Sequence, residues 1–194
     1  VGNSVAVPTL QALNLNVVTV PTVYLSTVPQ YDTLSGGAIP QEWFAGFLAD
    51  VRRRGVLKLA RAVLVGYLGS PAQADALADW LRDAVADRPE LLVLIDPVMG
   101  DHDSGLYVHP ELPAALTGLT GLATGLTPNA FELERLVGRA IGTLDETVAA
   151  ARALLVGRTR WVVVTSAAPA ETGRDETRIA VVTADEHAVV SHRR

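Results

Sequence analysis

Several polar or acidic groups in this chain stand directly after short apolar runs, where a phosphate or a hard cation could meet them. In "LLVLIDPVMGDHDSGLYV" (residues 91–108) five apolar residues lead into Asp96, and Asp101 and Asp103 follow among two glycines. Tyr67 follows the run at 62–66, Thr127, Asn129 and Glu132 follow the run at 123–126, and Thr165 and Ser166 follow "WVVV". Asp96, Asp101 and Glu132 supply the oxygen ligands that suit Mg2+ when water and phosphate complete its shell. A metal bridging phosphate oxygens is what phosphoryl transfer uses, since its catalysis is mostly positioning and charge neutralisation. Each group also has a plainer role. Asp96 before Pro97 is ordinary turn chemistry, "NAFE" (129–132) is a helix N-cap with glutamate at the third position, and Thr165 and Ser166 suit bonds to local backbone. Convergence on one edge is what favours a site over four separate coincidences.

The elements that would bring about this convergence are readable. Strand candidates are residues 16–20, 62–66, 91–95, 123–126, 161–165 and 178–183. "AVLVG", "LLVLI" and "WVVVT" are continuously apolar, the pattern of parallel strands covered on both faces. Between them lie amphipathic stretches. Pro40 starts one, with Phe44, Phe47, Leu48 and Val51 on a single face and Gly55 as its stop. Ser70-Pro71 caps a second, lined by Leu77, Leu81, Ala84 and Val85. Asn129 opens a third that ends at Gly138, and a fourth runs over about 144–157. Strand–helix alternation predicts right-handed crossovers in one α/β domain spanning 1–194, and in such sheets ligands bind beyond the carboxyl ends of the strands. The stretch "LSTVPQYDTLSGGAIP" (25–40) has two prolines, paired glycines and no helical period, and reads as a lid or as a surface hairpin.

Composition removes whole classes. At 49% apolar residues a packed core is expected. A net charge of −5 and the absence of long basic runs argue against nucleic-acid binding. No apolar run approaches a membrane span. With no cysteine there is no disulfide, thiolate metal site or thiol nucleophile, and a cytoplasmic protein is the plain reading. The four histidines (102, 109, 187, 192) lack metal-ligand spacing. There is no G-x-x-x-x-G-K-[ST], no G-x-G-x-x-G after a strand and no G-x-S-x-G. "DHDSG" lacks the third acidic position and distal glutamate of a calcium loop.

Taken in order, "VGNSVAVPTLQALNLNV", "YDTLSGGAIPQEWF", "GYLGS", "IDPVMGDHDSGLYV", "LTPNAFELERLVG" and "WVVVTSA" resemble the pyridoxal kinases of the ribokinase-like superfamily, in the bacterial pyridoxine/pyridoxal/pyridoxamine kinase branch. The pairing of D-P-V-x-G-D with T-P-N-x-x-E is the most specific part of the likeness. The resemblance implies a three-layer α/β/α sandwich with a mostly parallel central sheet and a lid segment. It implies transfer of phosphate from ATP to the 5′-hydroxyl of a B6 vitamer, with Mg2+ and in many members a monovalent cation such as K+, by a cytoplasmic homodimer. It places Asp96, Thr127, Asn129, Glu132, Thr165 and Ser166 around ATP. Asp96, Asp101, Tyr107 (through its backbone) and Glu132 would hold the metal, and Tyr67 and the lid residue Gln30 the vitamer. Histidine is frequent in place of Gln30. The family's G-T-G-D motif, whose aspartate is the catalytic base, is expected beyond Arg194, and a first strand with a substrate-contacting serine before Val1. The chain alone is therefore expected to turn over little. The alternatives are a hydroxymethylpyrimidine or sugar kinase of the same superfamily, and a non-catalytic ligand-binding relative.

Overall fold

The computed structural model describes residues 2–27 and 33–193. In chain order the elements are α1 (Gly2–Ala12), β1 (Val23–Leu25), β2 (Gly36–Ala38), α2 (Gln41–Arg53), α3 (Val56–Leu59), β3 (Ala62–Val65), α4 (Pro71–Asp87), β4 (Leu92–Ile95), β5 (Gly100–Asp101), β6 (Gly105–Leu106), α5 (Leu112–Thr117), β7 (Gly125–Leu126), α6 (Ala130–Val137), α7 (Leu144–Ala153), β8 (Trp161–Val164), β9 (Glu176–Val182) and β10 (His187–Arg193).

Six strands form the central sheet in the order β10-β9-β8-β7-β4-β3. β3, β4, β7 and β8 run parallel, and β9 and β10 close one side antiparallel. The α/β class and mostly parallel sheet expected from the alternating pattern are therefore present. The helices begin where their caps dictate. Ser70 Oγ accepts from the Gln73 amide, with Pro71 at the first helical position. Asn129 and Thr143 each form a capping box with a glutamate three residues on. Gly138 ends α6 in the left-handed conformation.

Three expectations change. The strand expected at 16–20 is not formed, and the N-terminal ladder instead pairs β1 with β2. The ribbon falls at the stretch read as a lid or as a surface hairpin, of which residues 28–32 lie outside the described residues. Gly36 sits at φ +109, where a Cβ would lie 1.9 Å from the Tyr24 carbonyl oxygen, so only glycine allows the two arms to approach. Phe47 leaves the buried face of α2 and is exposed, while Phe44 and Leu48 are buried.

The third change concerns burial of the sheet. By register, Val65, Val93, Ile95, Leu126, Val162, Val164, Ala180 and Val182 share one face, and all pack in the main core. α2 packs on α4, α4 on α5, α5 on α6 and α6 on α7, a row of helices that shares that core. The opposite face carries Leu64, Leu92, Val181 and Val190, all exposed. The continuously apolar strands are thus covered on one face only among the described residues.

This asymmetry predicts unequal mutational costs. In urea unfolding of this chain, Leu81→Ala, at a position with no exposure, should cost about 2–5 kcal/mol. Leu64→Ala, on the open face at 56% exposure, should cost less than about 1 kcal/mol. Equal costs would contradict one-sided burial.

Candidate active site

Pairing of the four parallel strands brings their carboxyl ends into line. The ladder runs one step further, because the Asp96 amide donates to the Val65 carbonyl (2.8 Å) and the Thr127 amide to that of Ile95 (3.1 Å). Tyr67, Asp96, Thr127 and Thr165 therefore follow adjacent strand ends on one edge. The Thr165 amide, which donates to the Pro128 carbonyl (3.0 Å), ties the last two together.

Glu132 is the centre of this edge. It lies at 3% exposure in the first turn of α6. Its Oε1 accepts from the Met99 amide (3.0 Å) and its Oε2 from the Asn129 amide (2.8 Å). Asn129 Oδ1 accepts in return from the Glu132 amide (2.8 Å), and its Nδ2 donates to the Gly100 carbonyl (2.8 Å). Ser166 Oγ accepts from the Ala130 amide (2.9 Å). The plain readings of "NAFE" and Ser166 thus hold as local structure: side chains of the protein cap the start of α6. The same bonds fasten the 96–100 loop, the helix and the loop after β8 into one unit.

The electrostatics are those of carboxylates short of positive charge. Burial pushes the Glu132 carboxyl up to about 7, against the amides of Asn129 and Met99 that favour its charged form, and Asp96 raises it further by repulsion. Burial also raises Asp96, opposed by a hydrogen bond from Thr127. Tyr107 is raised first by burial, then by repulsion from Glu132, Asp101, Asp96 and Tyr67. This field brings Tyr67, Asp96, Asp101, Tyr107 and Glu132 into one neighbourhood.

Asp101 stands in the β5–β6 hairpin, where its Oδ1 accepts from the Ser104 amide (2.6 Å) and holds the turn. A Cβ on Gly100 would fall 2.1 Å from the Gly105 carbonyl and 2.8 Å from the Phe131 ring, so this glycine lets the hairpin lie against α6. His102 secures the tip: its Nε2 lies 3.2 Å from Glu134 Oε2, and its ring meets Phe131 edge-on at 5.6 Å. His102 remains exposed, and helix periodicity offers no signal for a contact made across a hairpin.

Among the described residues no group of three or more His, Cys, Asp or Glu side chains converges on a metal position. Glu132, buried, and Asp96, half-buried, repel each other and among the described residues pair with no cationic side chain, so they fit a hard cation whose shell is completed by water and phosphate. Glu132 already accepts an amide on each oxygen, so its remaining lone pairs, directly or through water, are what it can offer. Gln30 lies outside the described residues. The backbone carbonyl of Tyr67 accepts from Thr22 Oγ1 (2.7 Å), which ties the Tyr67 loop to the ribbon. Gln73, which sequence reading missed, is buried at the same junction. A cavity of about 530 Å³, lined by residues 173–176 and 191–193, lies where β9 begins and β10 ends, and none of the candidate site residues lines it.

Because Glu132 binds its proton more tightly when folded than the ordinary 4.5 of an unfolded glutamate, its contribution to stability is full below about pH 4.5. That contribution is lost as pH rises through about 7. In metal-free urea titrations Glu132→Gln should flatten the pH profile over this window. It should also lower stability at acid pH by about 1–3 kcal/mol, since its NH2 group would face an amide donor. A wild-type profile already flat over this window would contradict the burial argument.

A profile of the phosphomethylpyrimidine kinase family matches residues 42–194. The chain is 56% identical over 193 residues to the pyridoxine/pyridoxal/pyridoxamine kinase of Bordetella pertussis, covering 99% of this chain and 68% of that protein. It is 36% identical over 183 residues to a pyridoxal kinase of Paraburkholderia xenovorans, covering 94% and 63%. Among solved structures, pyridoxal kinase from Leishmania donovani in complex with ADP and pyridoxamine superposes with TM-score 0.87 at 26% identity, covering 99% of this chain and 68% of that one. Pyridoxal kinase from Entamoeba histolytica, at 20% identity, shares the fold with TM-score 0.91, covering 100% and 69%. The chain thus spans about two thirds of the length of these relatives. The strand-end acids, the capped α6 and this extended likeness agree: the chain belongs to the phosphomethylpyrimidine kinase family, alongside its pyridoxal kinases.

Proposed function

We propose that the protein transfers the γ-phosphoryl group of ATP to the 5′-hydroxyl of pyridoxal, pyridoxine or pyridoxamine. The observation that carries this reading is the 56% identity with the Bordetella pertussis kinase over 99% of the chain. The clustering of Asp96, Asp101, Tyr107 and Glu132 on one sheet edge supports it.

In the reaction the vitamer oxygen forms a bond to the γ-phosphorus, the bond to the bridging oxygen breaks, ADP leaves, and the hydroxyl proton passes to a base. Bound Mg2+ supplies charge neutralisation at the phosphate oxygens. Asp96, Asp101 and Glu132, with the backbone at Tyr107, would hold it. Thr127 orients Asp96 by hydrogen bonding. Asn129 and Ser166 fix the start of α6, so the 96–100 loop and the nucleotide side of the edge keep one geometry. Thr165, exposed just after β8, is assigned to the nucleotide. Tyr67 and Gln30 are assigned to the vitamer. No G-T-G-D run stands within the 194 residues, so the base is assigned to a longer form of the protein, and this chain alone should turn over little.

Use of ATP points to the cytoplasm, and K+ is a candidate second cation beside the same carboxylates. A homodimer is part of the reading. Its support is the exposed apolar set Val5, Leu13, Leu15, Val18 and Tyr24 in the N-terminal segment.

A second reading, phosphorylation of a hydroxymethylpyrimidine, is favoured by the description of the matching family. A structure described as that of a phosphomethylpyrimidine kinase from Bacteroides thetaiotaomicron superposes with TM-score 0.86 at 25% identity, covering 98% of this chain and 66% of that one, but it was obtained with pyridoxal, which favours the first reading. Specificity constants of the full-length protein for pyridoxal, pyridoxine, pyridoxamine and hydroxymethylpyrimidine, with ATP and Mg2+, separate the two. A B6 vitamer should lead, and Asp96→Asn should lower kcat by about 10²–10³-fold. Absence of any vitamer 5′-phosphate would overturn the reading.

A further inference from the structure

Gln73 is wholly buried at the N-terminus of α4, and every polar group of its side chain is engaged. Its Oε1 accepts from the Gly69 amide (2.8 Å), while its Nε2 donates to the Thr22 carbonyl (2.8 Å) and to the Ile39 carbonyl (3.2 Å). Thr22 and Ile39 flank β1 and β2, one on each arm of the ribbon, and the Ile39 amide donates to the Thr22 carbonyl (2.9 Å). Gly69 belongs to the loop that carries Tyr67. One side chain therefore joins both arms of the ribbon to the Tyr67 loop. Thr22 Oγ1 adds a bond to the Tyr67 carbonyl, and Gly69 is packed too closely to Val23 and Ala38 to admit a Cβ.

The residue type carries the argument. At the same position of their helices, three residues after the cap, α6 and α7 use Glu132 and Glu146, whose carboxylates reach back to cap amides. A glutamate at 73 could accept from Gly69 equally well. It could not donate, so the Thr22 and Ile39 carbonyls would face a buried acceptor instead of a donor. Glutamine keeps the capping function and adds two donors aimed at the ribbon. Capping alone needs no such donors.

We propose that Gln73 is a positioning residue for the acceptor side of the proposed reaction: it sets the ribbon against the Tyr67 loop and so fixes the vitamer site without touching the vitamer. This rests on the kinase reading. It differs from the roles of Asp96 and Glu132 in shaping the vitamer side of the edge and leaving the nucleotide side unchanged.

The test compares wild type, Gln73→Met, Gln73→Glu and Thr22→Val in the full-length protein. Pyridoxal and ATP kinetics are measured together with calorimetric ADP binding and hydrogen exchange at 22–25 and 36–39. Gln73→Met should raise the KM for pyridoxal by about tenfold or more while the KM for ATP and ADP binding change less than about twofold. Exchange of the ribbon amides should speed up. Gln73→Glu should do the same or more, and Thr22→Val, which removes one bond and keeps the shape, should move in the same direction by a smaller factor. An unchanged pyridoxal KM, or equal rises in both KM values, would overturn the inference. If Gln73→Met does not fold, Gln73→Glu decides by the same criterion. A wild-type protein that phosphorylates no vitamer would overturn the kinase reading instead. Ribbon exchange unchanged in both Gln73 variants would count against the clamp whatever the activity.

Discussion

The buried Glu132 carboxylate is the constraint on which the rest of the edge depends. A charge removed from water is tolerated only if it is hydrogen-bonded or neutralised, and Glu132 is met by two backbone amides and, among the described residues, by no cationic side chain. Those amides belong to the loop after β4 and the cap of α6, so satisfying one carboxylate fixes two loops. Ser166 and Thr165 then bring in the loop after β8. What remains unmet is negative charge, shared with Asp96. A site short of positive charge has a built-in preference for a hard cation, and with it for the phosphates the cation carries.

The sheet edge thereby divides into two halves with different physics. On the side of β4, β7 and β8 the geometry is set by charged and capping bonds around Glu132. On the side of β3 it is set by neutral amide bonds through Gln73, which pairs carbonyls of the ribbon with the Tyr67 loop. A phosphoryl donor and an alcohol acceptor must be held separately and brought into line. An edge with one rigid charged half and one ribbon-covered neutral half suits that requirement.

Much of this was legible in the sequence because strong local signals coincided. "LLVLI" and "WVVVT" ended in polar residues at strand termini, Ser70-Pro71 and "NAFE" marked helix starts, and the structure places them there. The missed features are tertiary. β10 pairs along its whole length with β9 yet is exposed throughout, so no burial alternation marked it. α1 has Pro8 within it and buries no residue, so it carries no apolar stripe. The strand expected at 16–20 found no ladder, and the ribbon formed a few residues later where Gly36 permits close approach. Apolar runs suggested two covered faces, but which helices reach a face is decided by chain topology, which composition does not encode. Gln73 had a visible signature, Ser70 followed by glutamine three residues on, but its outward donors concern partners 34 and 51 residues away.

The central claim is that the Asp96–Glu132 edge is built for nucleotide phosphate carried by a cation. Calorimetric titration of the full-length protein with ADP, with and without Mg2+ near pH 7, tests it most directly. Mg2+ should tighten ADP binding by about tenfold or more, with protons released as the cation lowers the proton affinity of Glu132. ADP binding of equal strength with and without Mg2+, and no proton release, would contradict the account.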